Sequence, residues 1–390
     1  MEFLHPTTGI HSRHRYDRAM DKNGRIEILI RPFLRYNGRV NRRNRLFMAK
    51  DALRKIVFSL LKNSSTPLSL AEISRRISGE APPRTLRRWL SAWVAEGAIE
   101  RFGTGRATRY QSLVNAEDAA RSASDSLGFL NGLDNDLKRQ LLAQIRDLWT
   151  HTSTALEGNT LSLGDTHFIL QEGLTISGKP IKDHQEVIGH ARAIELLYLC
   201  LKEPLTEAVV FALHNAVQTE QVTDIQNPNG AWKVEPNGTY MIGPDGSQLF
   251  IEYAMPFSVP AFMADVIDSI NNVDVANVTA ATAHEYYARI HMGIVHIHPF
   301  WDGNGRIARL LANIPLLRAG LPPLTIPQEE RRAYIQILAN YQIAIGQLNG
   351  ETGVWPDVSW LKEFNQFCAS CYAPVERLVA TAYAMQARRD

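Results

Sequence analysis

The sequence predicts a mainly α-helical protein built in two unlike parts. Three observations lead there. Around residues 278–319 apolar side chains recur at helical spacing, as in Ile307, Leu310, Leu311, Ile314 and Leu317. Residues 48–112 read instead as three short helices followed by a hairpin. The charge is divided unevenly: residues 1–112 hold 23 Lys and Arg against 9 Asp and Glu, a balance of +14, while residues 113–390 hold 19 against 31, a balance of −12. The net charge of +2 over 390 residues hides this split. A chain of this length has room for two or three domains, and a basic part joined to an acidic one implies two tasks, the first with an anionic partner.

Residues 1–47 form a basic arm with an alternating apolar run from Ile26 to Ile30. Leu53 to Lys62 reads as an amphipathic helix. Ser69-Leu70-Ala71-Glu72 is a capping box that opens a second helix. Pro82-Pro83 then precedes a third, Arg84 to Glu96, with Leu86, Leu90, Trp93 and Val94 on its apolar face and Arg84, Arg87 and Arg88 on another. Two short strands, Gly97–Phe102 and Ala107–Tyr110, flank the turn Gly103-Thr104-Gly105-Arg106. Three helices and a hairpin over 48–112 resemble a winged helix-turn-helix, whose third helix enters the DNA major groove. Arg84, Arg87 and Arg88, with Arg106 and Arg109 on the wing, are the candidate DNA-binding residues. A protein-interaction or dimerisation module with solvated arginines is the other reading of this region. Residues 113–135, rich in Ala, Ser, Asp and Gly, read as a linker into a second domain over 136–390.

That domain opens with a helix around residues 150–160 that carries Ser153-Thr154-Ala155-Leu156-Glu157-Gly158. Ser153 and Glu157 are four apart and share a face. Trp232 to Met255 reads as a β-hairpin around Gly243-Pro244-Asp245-Gly246. A helix over about 278–295 leads to the most informative stretch of the chain: His298-Pro299-Phe300-Trp301-Asp302-Gly303-Asn304-Gly305-Arg306-Ile307-Ala308-Arg309. Pro299 pushes His298 out of helical conformation. Gly303 and Gly305 let the backbone take left-handed dihedrals, so that successive N–H groups converge on one anion. The segment from Arg306 to Ala319 reads as a helix, which places that loop at a helix N-terminus, where the dipole favours phosphate. Arg306 and Arg309 share the first turn, a poor place for two cations unless an anion lies between them. Asp302 stands where a Mg²⁺ ligand would bridge phosphate oxygens. His298 stands where a base could take a proton from an incoming hydroxyl, a role worth roughly 10²–10⁴ in rate. In-line attack at phosphorus needs little more. Pro315 falls inside the predicted helix and should kink it behind the first turn.

These twelve residues meet every fixed position of the Fic family signature, HPFx(D/E)GNGRxxR, and the chain resembles that family from about residue 145 to 365. The resemblance implies a helical core with a β-hairpin flap, and transfer of AMP from ATP, with Mg²⁺, to a Tyr, Ser or Thr hydroxyl of a target protein. His298 would be the general base and Asp302 the metal ligand. Gly303, Asn304 and Gly305 would cradle phosphates, Arg306 would contact them and Arg309 would hold the γ-phosphate. Phe300 would be a buried anchor. Glycine at 305 resembles the AMP-transferring majority rather than a phosphorylating branch with lysine there. Ser153 to Gly158 resembles the family's inhibitory pattern, Ser/Thr-x-x-x-Glu-Gly/Asn. It implies that Glu157 pairs with Arg309, by a strong bidentate contact, and restrains ATP binding. Gly178-Lys179-Pro180 and Glu186-Val187 match a further segment of the family. The hairpin would align a target's hydroxyl, and Tyr334 lies near the family's adenine pocket.

Two other readings stay open: a DNA-binding regulator that uses this core as a nucleotide sensor, and a Fic enzyme with another donor or with AMP-removing activity. A homodimer fits any of them. Cys368 and Cys371, in a helical stretch without a second pair, read as buried structural thiols rather than zinc ligands. So few cysteines fit a reducing cytoplasm. No signal peptide is evident, and no apolar run approaches the ~20 residues that span a bilayer, so no membrane partner is expected.

Overall fold

The computed structural model describes residues 53–54, 57–58, 60–61, 67–77, 81–112, 127–218, 227–242 and 247–390. The basic arm, most of the linker and the tip of the predicted flap hairpin lie outside them.

In the N-terminal part the described residues between 53 and 61 are helical, and Leu53, Val57 and Leu61 are buried one turn apart. Strand β1 (Leu68–Ser69) leads into helix α1 (Leu70–Arg76) through the expected capping box. Glu72 N donates to Ser69 Oγ at 3.2 Å, and Ser69 N donates to Glu72 Oε2 at 2.7 Å. Helix α2 (Pro83–Ala95) starts at a proline, whose missing N–H costs nothing in a first turn. It buries Leu86, Trp89, Leu90 and Trp93. Strands β2 (Ile99–Phe102) and β3 (Arg109–Ser112) complete an antiparallel sheet of order β1-β3-β2, with Leu68 opposite Tyr110 and Phe102 opposite Arg109. The second hairpin strand starts later than Ala107, because Gly105–Ala107 forms a 3-10 turn.

The C-terminal part is helical apart from one hairpin. Its elements are α3 (Asn135–Ala155), α4 (Leu163–Glu172), α5 (Ile181–Cys200), α6 (Glu207–Val217), β4 (Gly238–Ile242), β5 (Gln248–Glu252), α7 (Val259–Asn271), α8 (Ala283–Ile297), α9 (Asn304–Leu311), α10 (Ile314–Arg318), α11 (Arg331–Ile345), α12 (Leu361–Ser370) and α13 (Ala373–Gln386). Helix α8 is buried on nearly every side and packs against α7, α9, α10 and α12, which makes it the axis of the core. Helices α3, α5 and α6 pack in sequence beside it, and α13 closes the far side of α3. Cys368 and Cys371 are buried free thiols.

The helix predicted from Arg306 to Ala319 is not one kinked helix but two. Helix α9 ends at Leu311 and α10 begins at Ile314, with Pro315 in its first turn. Proline cannot donate to the carbonyl one turn back, and a first turn is where that loss is harmless. The break is held by Asn313, fully buried, whose Nδ2 donates to Arg309 O and Leu324 O while Oδ1 accepts from Leu324 N at 2.7 Å.

Candidate active site

The site forms where α8 hands over to α9. His298 ends α8 in the left-handed region, at φ 51°, ψ 62°, the one non-glycine with positive φ among the described residues. The following proline disfavours the right-handed helical conformation there, and a backbone so placed persists only when its surroundings over-determine it. They do. Tyr253, just past β5, stacks on the imidazole at 4.0 Å with the rings 1° from parallel. Asn237 Nδ2 donates to His298 Nδ1 at 3.0 Å, and Asn304 Nδ2 does so at 3.1 Å. Burial first, and then the Lys233 ammonium, lower the His298 imidazole to about 3, so the ring is neutral at physiological pH.

Phe300 is fully buried and stacks on His214 at 3.8 Å, against Trp232. His214 in turn orients the loop. Its Nδ1 accepts from Gly230 N at 2.9 Å, so its Nε2 carries the proton donated to Asp302 O at 3.0 Å. Gln218 Nε2 donates to the same carbonyl at 3.0 Å. Gly303, at φ 80°, is the N-cap of α9, and no side chain caps that helix. The first N–H groups of α9 therefore have no intrahelical acceptor, which suits an anion.

Around this terminus the expected residues come together, though not all as predicted. Asp302 presents a side chain that is 67% exposed and accepts from Arg306 Nη2 at 2.9 Å. Desolvation raises its carboxyl, but Arg306 and the Gly303 N–H outweigh that and lower it below the ordinary value. One exposed carboxylate beside an anion loop suits Mg²⁺, which commonly binds one or two carboxylates together with substrate phosphates. Among the described residues no cluster of three or more His, Cys, Asp or Glu could hold a metal by itself.

Arg306 is buried and spends Nη1 on Val217 O at 2.8 Å. Arg309, 2% exposed, is surrounded. Nε donates to Ser153 Oγ at 2.9 Å, Nη2 to Ser153 O at 2.8 Å and to Glu157 Oε1 at 2.6 Å, and Nη1 to Tyr334 OH at 3.2 Å. Glu157 and Arg309 thus meet across 152 residues of sequence, through one carboxylate oxygen rather than two. Gly158 follows at φ 98°, turning the chain, and Asn159 pins that turn by donating to Asp183 O and Glu186 Oε2. Lys179 Nζ holds Thr160 O at 2.5 Å. The Gly178-Lys179-Pro180 and Glu186 segment therefore acts as a clamp behind Glu157. Glycine at 305 has a steric reason as well, since a Cβ there would collide with the Glu157 carboxylate.

Two of the expected side chains turn inward. The Asn304 side chain faces the loop itself. It is 3% exposed, accepts from Phe300 N at 2.8 Å and donates to Phe300 O at 2.9 Å, stapling the loop from within. Tyr334 is the second. Helix α11 turns it inward, where it is 5% exposed, accepts from Arg309 and donates to His291 Nε2 at 3.0 Å. Outside the site, Arg84, Arg87 and Arg88 are exposed, whereas Arg109 is paired with Glu72 at 2.8 Å. Of Arg106 only the backbone, in the 3-10 turn, is described.

Sequence reading missed His214, Gln218, Lys233, Asn237 and Tyr253. Lys233 is 2% exposed and its Nζ donates to Asn237 Oδ1 at 2.5 Å. Burial lowers its ammonium to about 8, against the pull of Glu252. These residues carry no local motif. Only a lysine and an asparagine four apart ahead of a hairpin hinted at them.

Comparison with known proteins agrees with this geometry. Residues 204–316 match the model of the Fic/DOC family. The chain is 32% identical over 236 residues to protein adenylyltransferase fic-1 of Caenorhabditis elegans, covering 58% of this chain and 43% of that protein. It is 30% identical over 234 residues to protein adenylyltransferase Fic of Drosophila melanogaster, covering 59% and 42%. The matches thus span less than half the length of these relatives. Among solved structures, a Fic domain-containing signaling protein from Bacteroides thetaiotaomicron superposes with a TM-score of 0.55 at 28% identity, over 68% of this chain and 95% of that one. The span that holds His298, Asp302, Arg306 and Arg309 lies within residues 204–316, the segment that matches the Fic/DOC family model.

Proposed function

We propose that this chain is a protein adenylyltransferase restrained by its own Glu157. The observation that carries the reading is the meeting of the two sequence motifs in one site: Glu157 on Arg309, beside the uncapped N-terminus of α9 and within the loop that presents His298 and Asp302. ATP would lay its phosphates against the Gly303–Arg306 backbone, with Arg309 on the γ-phosphate and Asp302 holding Mg²⁺. The metal would supply charge neutralisation at the α- and β-phosphates. A Tyr, Ser or Thr oxygen of the target forms the new bond to the α-phosphorus. The bond to the β-phosphate side breaks, pyrophosphate leaves with those electrons, and the hydroxyl proton passes to His298. The target would dock along β4–β5, where Tyr240 and Phe250 are exposed and their rings lie 5.0 Å apart, tilted by 54°. While Glu157 occupies Arg309, the γ-phosphate has no partner there.

The test is incubation of wild type, Glu157→Gly and Glu157→Gly/His298→Ala with α-labelled ATP and Mg²⁺. Label on the single variant, little on wild type and at least about a hundredfold less on the double variant is expected. No label on Glu157→Gly, or label on it that His298→Ala leaves unchanged, overturns the reading.

A second task rests on residues 48–112. Two helices, a third helical segment and a three-stranded sheet support a winged helix, and the exposed row Arg84, Arg87 and Arg88 supports DNA as its partner. Replacing all three by alanine should abolish a salt-dependent DNA gel shift and leave AMP transfer intact. A shift that survives the triple variant assigns DNA binding elsewhere.

A further inference from the structure

Two asparagines converge on the base, and each amide is oriented by a donor that admits no choice. Asn237 Oδ1 faces the Lys233 Nζ, which can only donate, so Nδ2 is the end turned to His298 Nδ1 and Phe300 O. Asn304 Oδ1 accepts the Phe300 main-chain N–H, so its Nδ2 also points at His298 Nδ1. With two N–H donors on it, Nδ1 is an acceptor, and the proton of the neutral imidazole resides on Nε2. Nδ1 takes the two shorter contacts, at 3.0 and 3.1 Å, and Nε2, with Asn304 Nδ2 no nearer than 3.4 Å, is the nitrogen left for an incoming hydroxyl. A protonated Nε2 cannot take that hydroxyl's proton.

We infer that Lys233 and Asn237 are positioning residues that select the tautomer of His298: as placed, they hold the base closed, and a turn of the Asn237 amide opens it. In the turned amide Oδ1 accepts from Nδ1–H, Asn304 Nδ2 gives up Nδ1 and keeps its hydrogen bond to Phe300 O at 2.9 Å, and the Nε2 lone pair is free. The exchange is balanced, since one proton leaves Nε2 for water and one arrives at Nδ1. Lys233 opposes the turn while its ammonium holds Oδ1, because the turned amide would set Nδ2 against Nζ.

The pair is well placed to receive a signal. Asn237 is the residue before β4, and its carbonyl accepts from Tyr253 N at 3.0 Å, closing the hairpin at the end nearest the base. Lys233 N donates to Pro299 O at 2.9 Å, tying the same segment to the loop. Motion of the hairpin on docking a target reaches Asn237 directly. The site would then carry a second restraint, on the base, separate from Glu157 on the phosphate side. For its effect on turnover the inference rests on the AMP-transfer reading; the tautomer assignment does not.

The test uses ¹⁵N-histidine-labelled full-length protein in the Glu157→Gly background, with His298 identified by its loss in His298→Ala. The parent should show a protonated Nε2 and a lone-pair Nδ1. Asn237→Asp supplies a carboxylate that accepts from Nδ1–H, and Lys233→Met removes the donor on Oδ1. Both variants should invert the pattern and raise kcat roughly tenfold, with the KM for ATP within about twofold of the parent. A parent already protonated at Nδ1, an unchanged pattern in Asn237→Asp, or an inverted pattern without a rise in kcat each overturns the inference. If one variant does not fold, the other decides. A Glu157→Gly parent that transfers no AMP sinks the enzymatic reading instead, while the spectra still decide the tautomer.

Discussion

At the residue scale the site is a set of groups held by more partners than they need. Arg309 has four donors engaged, two of them on Ser153 and one on Tyr334, so removing Glu157 leaves its guanidinium oriented. That arrangement suits a residue waiting for an anion, because little ordering is left to be done on binding. Tyr334 tests the point. Tyr334→Phe in the Glu157→Gly background removes one buried acceptor, worth about 1 kcal/mol, and should raise the KM for ATP about fivefold while leaving kcat near its parent value. An unchanged KM would mean that Ser153 alone orients Arg309.

At the element scale the decisive feature is the short helix α9. Eight residues long, it is cut off at Leu311, where Asn313 and Pro315 start a new direction. The cut lets the chain after α10 return past α9, bringing Leu324 onto Asn313. Asn313→Ala would leave the Leu324 N–H and C=O without their buried partner and should cost about 2–4 kcal/mol in denaturant unfolding. A loss within experimental error would show that the break is set by Pro315 and the surrounding packing. The capping box at Ser69 and the proline start of α2 were legible in the sequence, because each is decided by residues within four positions. Glu157, by contrast, does not share a helix face with Ser153 but lies in the turn after α3 ends at Ala155. The length of α9 was not legible either, because the apolar repeat runs straight through the break.

At the scale of the whole molecule the core holds an unusual number of neutral histidines. Burial lowers His190, His214, His291, His296 and His298 below the ordinary imidazole value, three of them to about 3 or 4. Unfolded, these rings take a proton near pH 6.5; folded, they do not. Between pH 6.5 and 5 the unfolded chain therefore binds more protons, and stability falls as pH falls, by at most about 1.4 kcal/mol per pH unit for each ring. Both ring nitrogens of His190 lack a hydrogen-bond partner, so it has no group to share an added proton. The melting temperature should drop steadily from pH 7 to pH 5. A flat profile over that range would show that the rings protonate within the fold.

The sequence by itself supplied the residues of the glycine loop, and its resemblance to the Fic family pointed to Glu157 as the carboxylate that meets Arg309. Twelve consecutive residues carry the first, and the motif from Ser153 to Gly158 carries the second. What only the tertiary structure decided is where those groups point. Asn304 turns into the loop, Tyr334 turns into the core to hold Arg309, and Lys233, Asn237, His214 and Tyr253 arrive from elements far along the chain to surround the base and its loop. Local spacing sets which residues share a turn, whereas orientation and tautomer depend on hydrogen bonds between groups far apart in the chain, such as Asn237 to His298, 61 positions apart, and Ser153 to Arg309, 156 positions apart, which no local pattern encodes.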